Sequence, residues 1–381
     1  MNLKNQLSIL TLLPFLLGPL FAQSSLKHRA SPPERDPQSL VILVTIDGLR
    51  VEEILGGMDA DLCNRERGGV SNPAALRARY DAKSPEDRRK KLMPFFWKVL
   101  VPKGQLFGDR SLQSPARLLN TRRFSYPGYG ELLQGFVDPW IDSNKKRWNR
   151  NKTVLEHLGH LTAFQGSIVG FGSWDVLPYV VNTQRSKLPI NAGLVPLVPT
   201  FKRLSGRKKA PKTLLLLDKL QKELCPVLGK GERMDAFSFY GAFEVLKTCQ
   251  VRILWLGLGD TDEWAHHKRY DFYLDQIHKA DDYLRRLWEF CQRDSRYRGR
   301  CSLLVTCDHG RGRGSQWISH GPKIQGAENV WIALLGRKVP ARGVRKNRPA
   351  TLSQVAPTLA FLLGYDLRVF EPRASLPLDL R

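Results

Sequence analysis

Acidic residues are scarce relative to basic ones: 36 Asp and Glu stand against 60 Lys and Arg, a formal net charge of +24 over 381 residues. The basic excess lacks organisation. It is spread over Arg88–Lys91, Lys145–Arg150, Lys202–Lys209 and Arg342–Arg348. No compact basic helix carries base-reading polar residues, and no aromatic platform is interleaved with the charges. Specific nucleic-acid recognition is thereby excluded, and a non-specific field remains that draws in anionic substrates such as phosphate or sulfate esters. Cysteine is also sparse. None of the six (Cys63, Cys225, Cys249, Cys291, Cys301, Cys307) forms a CxxC pair, which argues against a thiolate zinc site or a thioredoxin-type motif. Cys291 and Cys301, joined by a short Arg-rich loop, are the pair to test for a disulfide, with buried thiols as the alternative. No internal repeat is present. After the N-terminus no stretch approaches 18 uninterrupted apolar residues, so no transmembrane segment is expected.

The N-terminus itself reads as an export signal over residues 1–22. Lys4 gives a weak basic start, Leu7 to Phe21 is apolar with breaks at Pro14 and Gly18, and Ala22 offers a small residue for cleavage. No cysteine lies near the cut, so a lipid anchor is not indicated. The expectation is an exported protein, periplasmic or secreted, with residues 23–381 as a single domain. A hydrophobic content of 42% is enough for a sizeable core.

Five runs read as strands: Ser39 to Ile46, Gly166 to Gly172, Val251 to Gly259, Ser302 to Cys307 and Val330 to Leu335. They are almost wholly apolar, as strands covered on both faces must be. Helical spacing separates them. Ile277, Ala280, Leu284, Leu287 and Cys291 recur every three or four residues, and Thr213 to Leu224 is another candidate. Thr351 can cap a last helix that contains Pro357 and stops at Gly364. Alternation of strands and helices predicts an α/β three-layer sandwich, a mostly parallel central sheet with helices on both faces. Residues 60–95 and 184–211, polar, basic and Pro-containing, read as loop-rich excursions.

Three of the runs stop on metal-capable residues: Asp47, then Asp260 and Asp262, then Asp308-His309. Ligands bind beyond the carboxyl ends of strands in open α/β sheets, so these residues should meet at one edge. Asp262 and His266, four apart in DEWAH, share one side of a helical turn, a chelating spacing. His320 in SHGPK is a third donor. With Asp47, Asp308 and His309 this gives two sets of oxygen and nitrogen ligands suited to Zn²⁺ with open positions, or to Mn²⁺. His267 rivals His266 and Asp260 rivals Asp262, but the four-residue spacing favours Asp262 with His266. His157, His160 and His278 read as structural or surface residues, and Trp174-Asp175 as pocket lining.

The order strand-Asp, Ser before Pro, Asp-x-x-x-His, Asp-His-Gly and late His resembles the alkaline phosphatase superfamily, most of all its nucleotide pyrophosphatase/phosphodiesterase branch. The matching elements span residues 41–363. The resemblance implies one divalent ion on Asp47, Asp308 and His309 and a second on Asp262, His266 and His320. It implies a nucleophile at Ser125, where Ser125-Tyr126-Pro127-Gly128 stands for the branch's Thr-Phe-Pro-Asn. Gly128 departs from that Asn, and Ala265 from the usual Gly before the histidine. An Asn about 20 residues after the nucleophile contacts the phosphoryl group in the family, and Asn144 lies near that place.

The chemistry is coherent without the resemblance. A serine hydroxyl is a weak nucleophile until a base or a metal lowers its pKa. Paired cations stabilise an in-line displacement, and Arg311 adds positive charge for the transferred group. The expected activity is metal-dependent hydrolysis of phosphate mono- or diesters on an anionic phosphorylated substrate, through a phosphoseryl intermediate. Two alternatives stand beside it. One is sulfate ester hydrolysis, for which the C/S-x-P-x-R motif lacks its Arg because Tyr129 is there. The other is a metal-free anion-binding protein on the same scaffold.

Overall fold

Every residue of the strand Leu40–Ile46 is buried, so both faces of the sheet at this strand are covered. In a computed structural model, described over residues 32–224 and 231–381, this strand lies inside an eight-stranded sheet. Across the sheet the order is Gly343–Val344, Gln105–Phe107, Ile332–Gly336, Cys301–Thr306, Leu40–Ile46, Ile253–Leu258, Ile168–Gly172, Ile190–Ala192. The strand Ile332–Gly336 runs antiparallel to both its neighbours, and the remaining pairings are parallel. The α/β architecture expected from the alternating pattern is therefore present. The helix Asp235–Thr248 packs on Ile168–Gly172 and Ile253–Leu258, Tyr270–Arg293 on Cys301–Thr306, and Val355–Leu362 on Leu40–Ile46. Among the described residues no helix is long and apolar enough to cross a membrane. The expected export signal, residues 1–22, and Cys225 lie outside the described residues.

Two expectations change. Residues 60–95 are not loop-rich but carry the helices Arg65–Gly68, Pro73–Tyr80 and Pro85–Leu92, and residues 184–211 include the helix Leu197–Ser205. The prolines mislead because Pro73 and Pro85 occupy first-turn positions, where a missing N–H costs nothing. Asn72 and Ser84 cap those turns, accepting from Ala75 N at 3.0 Å and Asp87 N at 3.1 Å. The run Val330 to Leu335 is two strands, Asn329–Val330 in a small second sheet and Ile332–Gly336 in the large one. Between them the buried Trp331 donates its indole N–H to Leu49 O at 3.0 Å. Cys291 and Cys301 do meet, as buried free thiols.

The register aligns the carboxyl ends of the three central strands. Ile46 pairs with Leu258, and Thr45 with Thr306. Asp47, the Asp260–His266 helix and Asp308 thus leave the sheet at one level. The turn after Leu40–Ile46 is held by the fully buried Arg50, paired with Glu53, whose carboxylate also accepts from the hydroxyls of Tyr270 at 3.0 Å and Tyr273 at 3.2 Å. Arg50 Nη1 also donates to Gly312 O at 3.2 Å, tying this turn to the segment that follows Asp308-His309.

Candidate metal centre

Asp47, Asp308 and His309 converge. Asp47 Oδ1 lies 3.3 Å from His309 Nε2, and Asp308 Oδ2 lies 3.5 Å from the same nitrogen. His309 Nδ1 is 2.9 Å from Gly310 O. A carbonyl can only accept, so the proton sits on Nδ1 and the Nε2 lone pair faces the carboxylates, the tautomer a metal requires. The other half of the set is adjacent. Asp262 Oδ2 lies 3.0 Å from His266 Nε2, His266 Nε2 lies 3.1 Å from His320 Nε2, and the His320 ring stacks on His309 with centroids 3.9 Å apart. His320 Nδ1 is fixed at 2.9 Å from Arg123 O, which leaves its Nε2 facing inward. All six residues proposed as ligands from the sequence are therefore neighbours. Their rivals are elsewhere engaged: His267 is exposed with Nδ1 2.8 Å from Glu263 O, and Asp260 Oδ1 accepts from Asp235 N at 2.9 Å.

Ser125 opens the Ser125–Gln134 helix and is buried. Its Oγ lies 3.2 Å from His309 Nε2, on the nitrogen that the aspartates surround. Asn144 reaches the same helix end: its Oδ1 accepts from Tyr126 N at 2.9 Å, satisfying one of the open donors of the first turn. The departure at Gly128 has a cause. A Cβ there would overlap the carbonyl oxygen of Asp308, so only glycine lets the Ser125–Gln134 helix pack on the segment that follows the Cys301–Thr306 strand.

Arg311 is not open to a substrate. It is buried, with Nε donating to Trp317 O at 2.8 Å, Nη1 to Asp262 Oδ1, and Nη2 to Ile318 O at 2.5 Å and to His266 Nδ1 at 3.3 Å.

Several contributors were not assigned from the sequence. Tyr129, one turn after Ser125, donates its hydroxyl to Asp47 Oδ2 at 3.2 Å; its four-residue spacing from Ser125 was the available signal. Glu263, next to Asp262, hydrogen-bonds Glu232, and burial together with Glu263 pushes the Glu232 carboxyl up to about 10. Trp174 stands beside Tyr129, ring centroids 6.5 Å apart, and Asp175 binds Lys146 at 2.5 Å.

Burial, with Asp262 nearby, pushes the Asp47 carboxyl up to about 7. Burial, then Asp47 and Asp262, pushes Asp308 well above the usual carboxylate range. Burial takes the His309 imidazole down to about 4, and burial with His309 opposite takes His320 to about 3. Asp262 behaves differently: burial opposes its ionisation, yet Arg311 and the hydrogen bond from His266 outweigh it and hold the carboxyl well below its ordinary value. Neutral imidazoles beside crowded, buried carboxylates make a site short of positive charge.

Asp47 Oδ1 and Asp308 Oδ2 are buried without a hydrogen-bond partner. Buried polar atoms are rarely left so, and these two point toward the His309 lone pair. Asp47, Asp308 and His309 therefore fit a divalent cation by geometry, burial and donor chemistry. Asp262, His309 and His320 form a second group of close donor atoms, but it draws on the same His309 and on an Asp262 that the Arg311 guanidinium already engages, as it does His266.

The sheet thus brings acids and imidazoles together at its carboxyl edge. The fold is alkaline-phosphatase-like, as superposition on solved structures shows. The chain superimposes on lipoteichoic acid synthase LtaP from Listeria monocytogenes with a TM-score of 0.53 at 10% identity, covering 86% of this chain and 72% of that one. It superimposes on wild-type alkaline phosphatase PafA with a TM-score of 0.51 at 10% identity, over 87% and 96%. For the phosphonate monoester hydrolase of Agrobacterium radiobacter the values are 0.51, 12%, 86% and 74%. No family model matches the chain, and no curated protein does.

Proposed function

We propose that this protein is a divalent-metal-dependent hydrolase of phosphate esters in which Ser125 is the nucleophile and Asp47, Asp308 and His309 hold the metal. One observation carries the reading: the Ser125 hydroxyl stands 3.2 Å from His309 Nε2, beside the two orphaned aspartate oxygens. The order of motifs, resembling the phosphodiesterase branch of the superfamily, and the shared fold support it.

A divalent cation bound there supplies Lewis acidity, lowering the pKa of a nearby hydroxyl and offsetting charge on the transferred group. The chain's residues supply the rest. The helix start fixes Ser125 in one orientation, which gives the attack its effective concentration. Asn144 holds that start through Tyr126 N, and its amide nitrogen is the group proposed to contact a phosphoryl oxygen. Tyr129 orients Asp47. Tyr126 also lines a cavity of about 160 Å³, with Trp140, Lys145, Arg147, Trp148 and Arg150. Its indoles and cations suit an anionic ester with an apolar or ring-bearing portion. Tyr129, in the position where a sulfatase motif has Arg, is committed to Asp47, which favours phosphate over sulfate esters. The export expected from residues 1–22 is part of this reading.

The test is hydrolysis of an aryl phosphate, an aryl phosphodiester and an aryl sulfate with Zn²⁺ or Mn²⁺, by wild type and Ser125→Ala. The expected result is phosphoester turnover that Ser125→Ala removes by about 10³-fold or more while bound metal is unchanged. Undiminished turnover in Ser125→Ala removes that residue from the role. No turnover and no bound metal in wild type favours the anion-binding alternative.

A further inference from the structure

The two halves of the ligand set differ in what they still need. In the first half two carboxylate oxygens are buried without partners, Asp47 Oδ1 and Asp308 Oδ2. In the second half Asp262, His266 and Arg311 already form a closed network. A guanidinium donates and never accepts, so where Arg311 Nη2 meets His266 Nδ1 at 3.3 Å the imidazole accepts on Nδ1. Its proton is then on Nε2, which lies 3.0 Å from Asp262 Oδ2 and donates to it. Neither His266 nitrogen keeps a lone pair for a metal.

The guanidinium has a built seat. Two successive backbone carbonyls, Trp317 O and Ile318 O, accept from it at 2.8 and 2.5 Å. Gly48, at φ +61°, leaves the space in which Arg311 meets Asp262: a Cβ at 48 would overlap the Asp262 carboxylate and come within 2.8 Å of Arg311 Nη1. Charge points the same way. Three buried carboxylates (Asp47, Asp262, Asp308) are matched by one divalent ion and one guanidinium, whereas a second divalent ion would enter against the positive charge already placed there.

We propose that Arg311 stands in for a second metal ion, so that the centre takes a single divalent cation at Asp47, Asp308 and His309 and its other positive charge is the buried guanidinium. The inference rests on the metal-hydrolase reading above and narrows it. Arg311 is then a positioning residue: it acts on the reacting group through Asp262 and His266.

The experiment is metal stoichiometry on the full chain, stripped with a chelator, equilibrated with Mn²⁺ or Zn²⁺, dialysed, and assayed by elemental analysis. Wild type is expected to hold about one ion per chain, Arg311→Met about two, Asp262→Asn about one, and Asp47→Asn about none. Two ions in wild type overturn the inference and leave the hydrolase reading standing; no ion in wild type overturns both. A single ion that is lost in Asp262→Asn and kept in Asp47→Asn places the cation in the wrong half and also overturns it. If Arg311→Met does not fold, as a loss of its far-UV spectrum would show, the wild-type, Asp47→Asn and Asp262→Asn values decide alone. An Arg311→Met protein that folds and holds only one ion removes the guanidinium from the role.

Discussion

Gly128 lies with its Cα against the backbone carbonyl of Asp308, and a Cβ at 128 would also come within 3.3 Å of the Asp308 Cβ. The proposed nucleophile helix is thus in direct contact with the proposed ligand strand, and the distance from Ser125 to His309 depends on that contact. Gly128→Ala should destabilise the protein by about 1–3 kcal/mol, because the neighbour is backbone and cannot rotate away. Urea unfolding measures this. A variant as stable as wild type, with wild-type turnover, would show that the helix can shift at no cost and that the contact does not set the geometry.

In the proposed site protons and metal would compete for Asp47 and Asp308. Burial, with a neighbouring carboxylate, raises Asp47 to about 7 and lifts Asp308 well above the usual carboxylate range. A carboxyl with a raised pKa keeps its proton at a pH where an ordinary one has lost it, so cation binding must expel that proton. Affinity for Mn²⁺ or Zn²⁺ should therefore rise as pH increases from 6 to 8, by up to about tenfold per pH unit for each proton displaced. His309 and His320, brought down to about 4 and about 3, are already neutral across that window and add no slope. Calorimetry in buffers of different ionisation enthalpy reads the released protons directly. An affinity that is flat in pH would mean both aspartates are ionised before the metal arrives.

The convergence of these residues was legible in the sequence because each candidate ligand follows a strong local signal. Asp47 and Asp308 follow strands that are almost wholly apolar, which betray themselves by composition, and Asp262 and His266 hold helical spacing. What was not legible depends on contacts across the chain. Arg311 read as a free cation beside the transferred group because nothing local reveals that the distant Asp262 and His266 will engage its guanidinium. Gly128 read as an unexplained departure from the family pattern because its reason is a carbonyl 180 residues away. The helices at Pro73–Tyr80 and Pro85–Leu92 were missed because they are polar and begin with proline, so composition argued for loops while the caps at Asn72 and Ser84 argued for helix. Capping was the better guide there, since it identifies which backbone donors are satisfied.

Tyr129 offers the cleanest separation of orientation from ligation. Its ring packs edge-on against Trp255, centroids 5.8 Å apart, and only its hydroxyl touches the site, donating to Asp47 Oδ2 at 3.2 Å. Tyr129→Phe removes that hydroxyl and keeps the ring, so packing should survive. The lost bond frees Asp47 to rotate in a site where Oδ1 already has no partner. Outer hydrogen bonds of this kind typically carry about 10–100-fold in metal affinity. The expected result is a metal dissociation constant raised by about that factor, with metal-saturated turnover closer to wild type than the affinity is. Such a split assigns Tyr129 to holding the ligand; an unchanged dissociation constant with reduced turnover would instead place its hydroxyl on the substrate, and the assignment would have to be reversed.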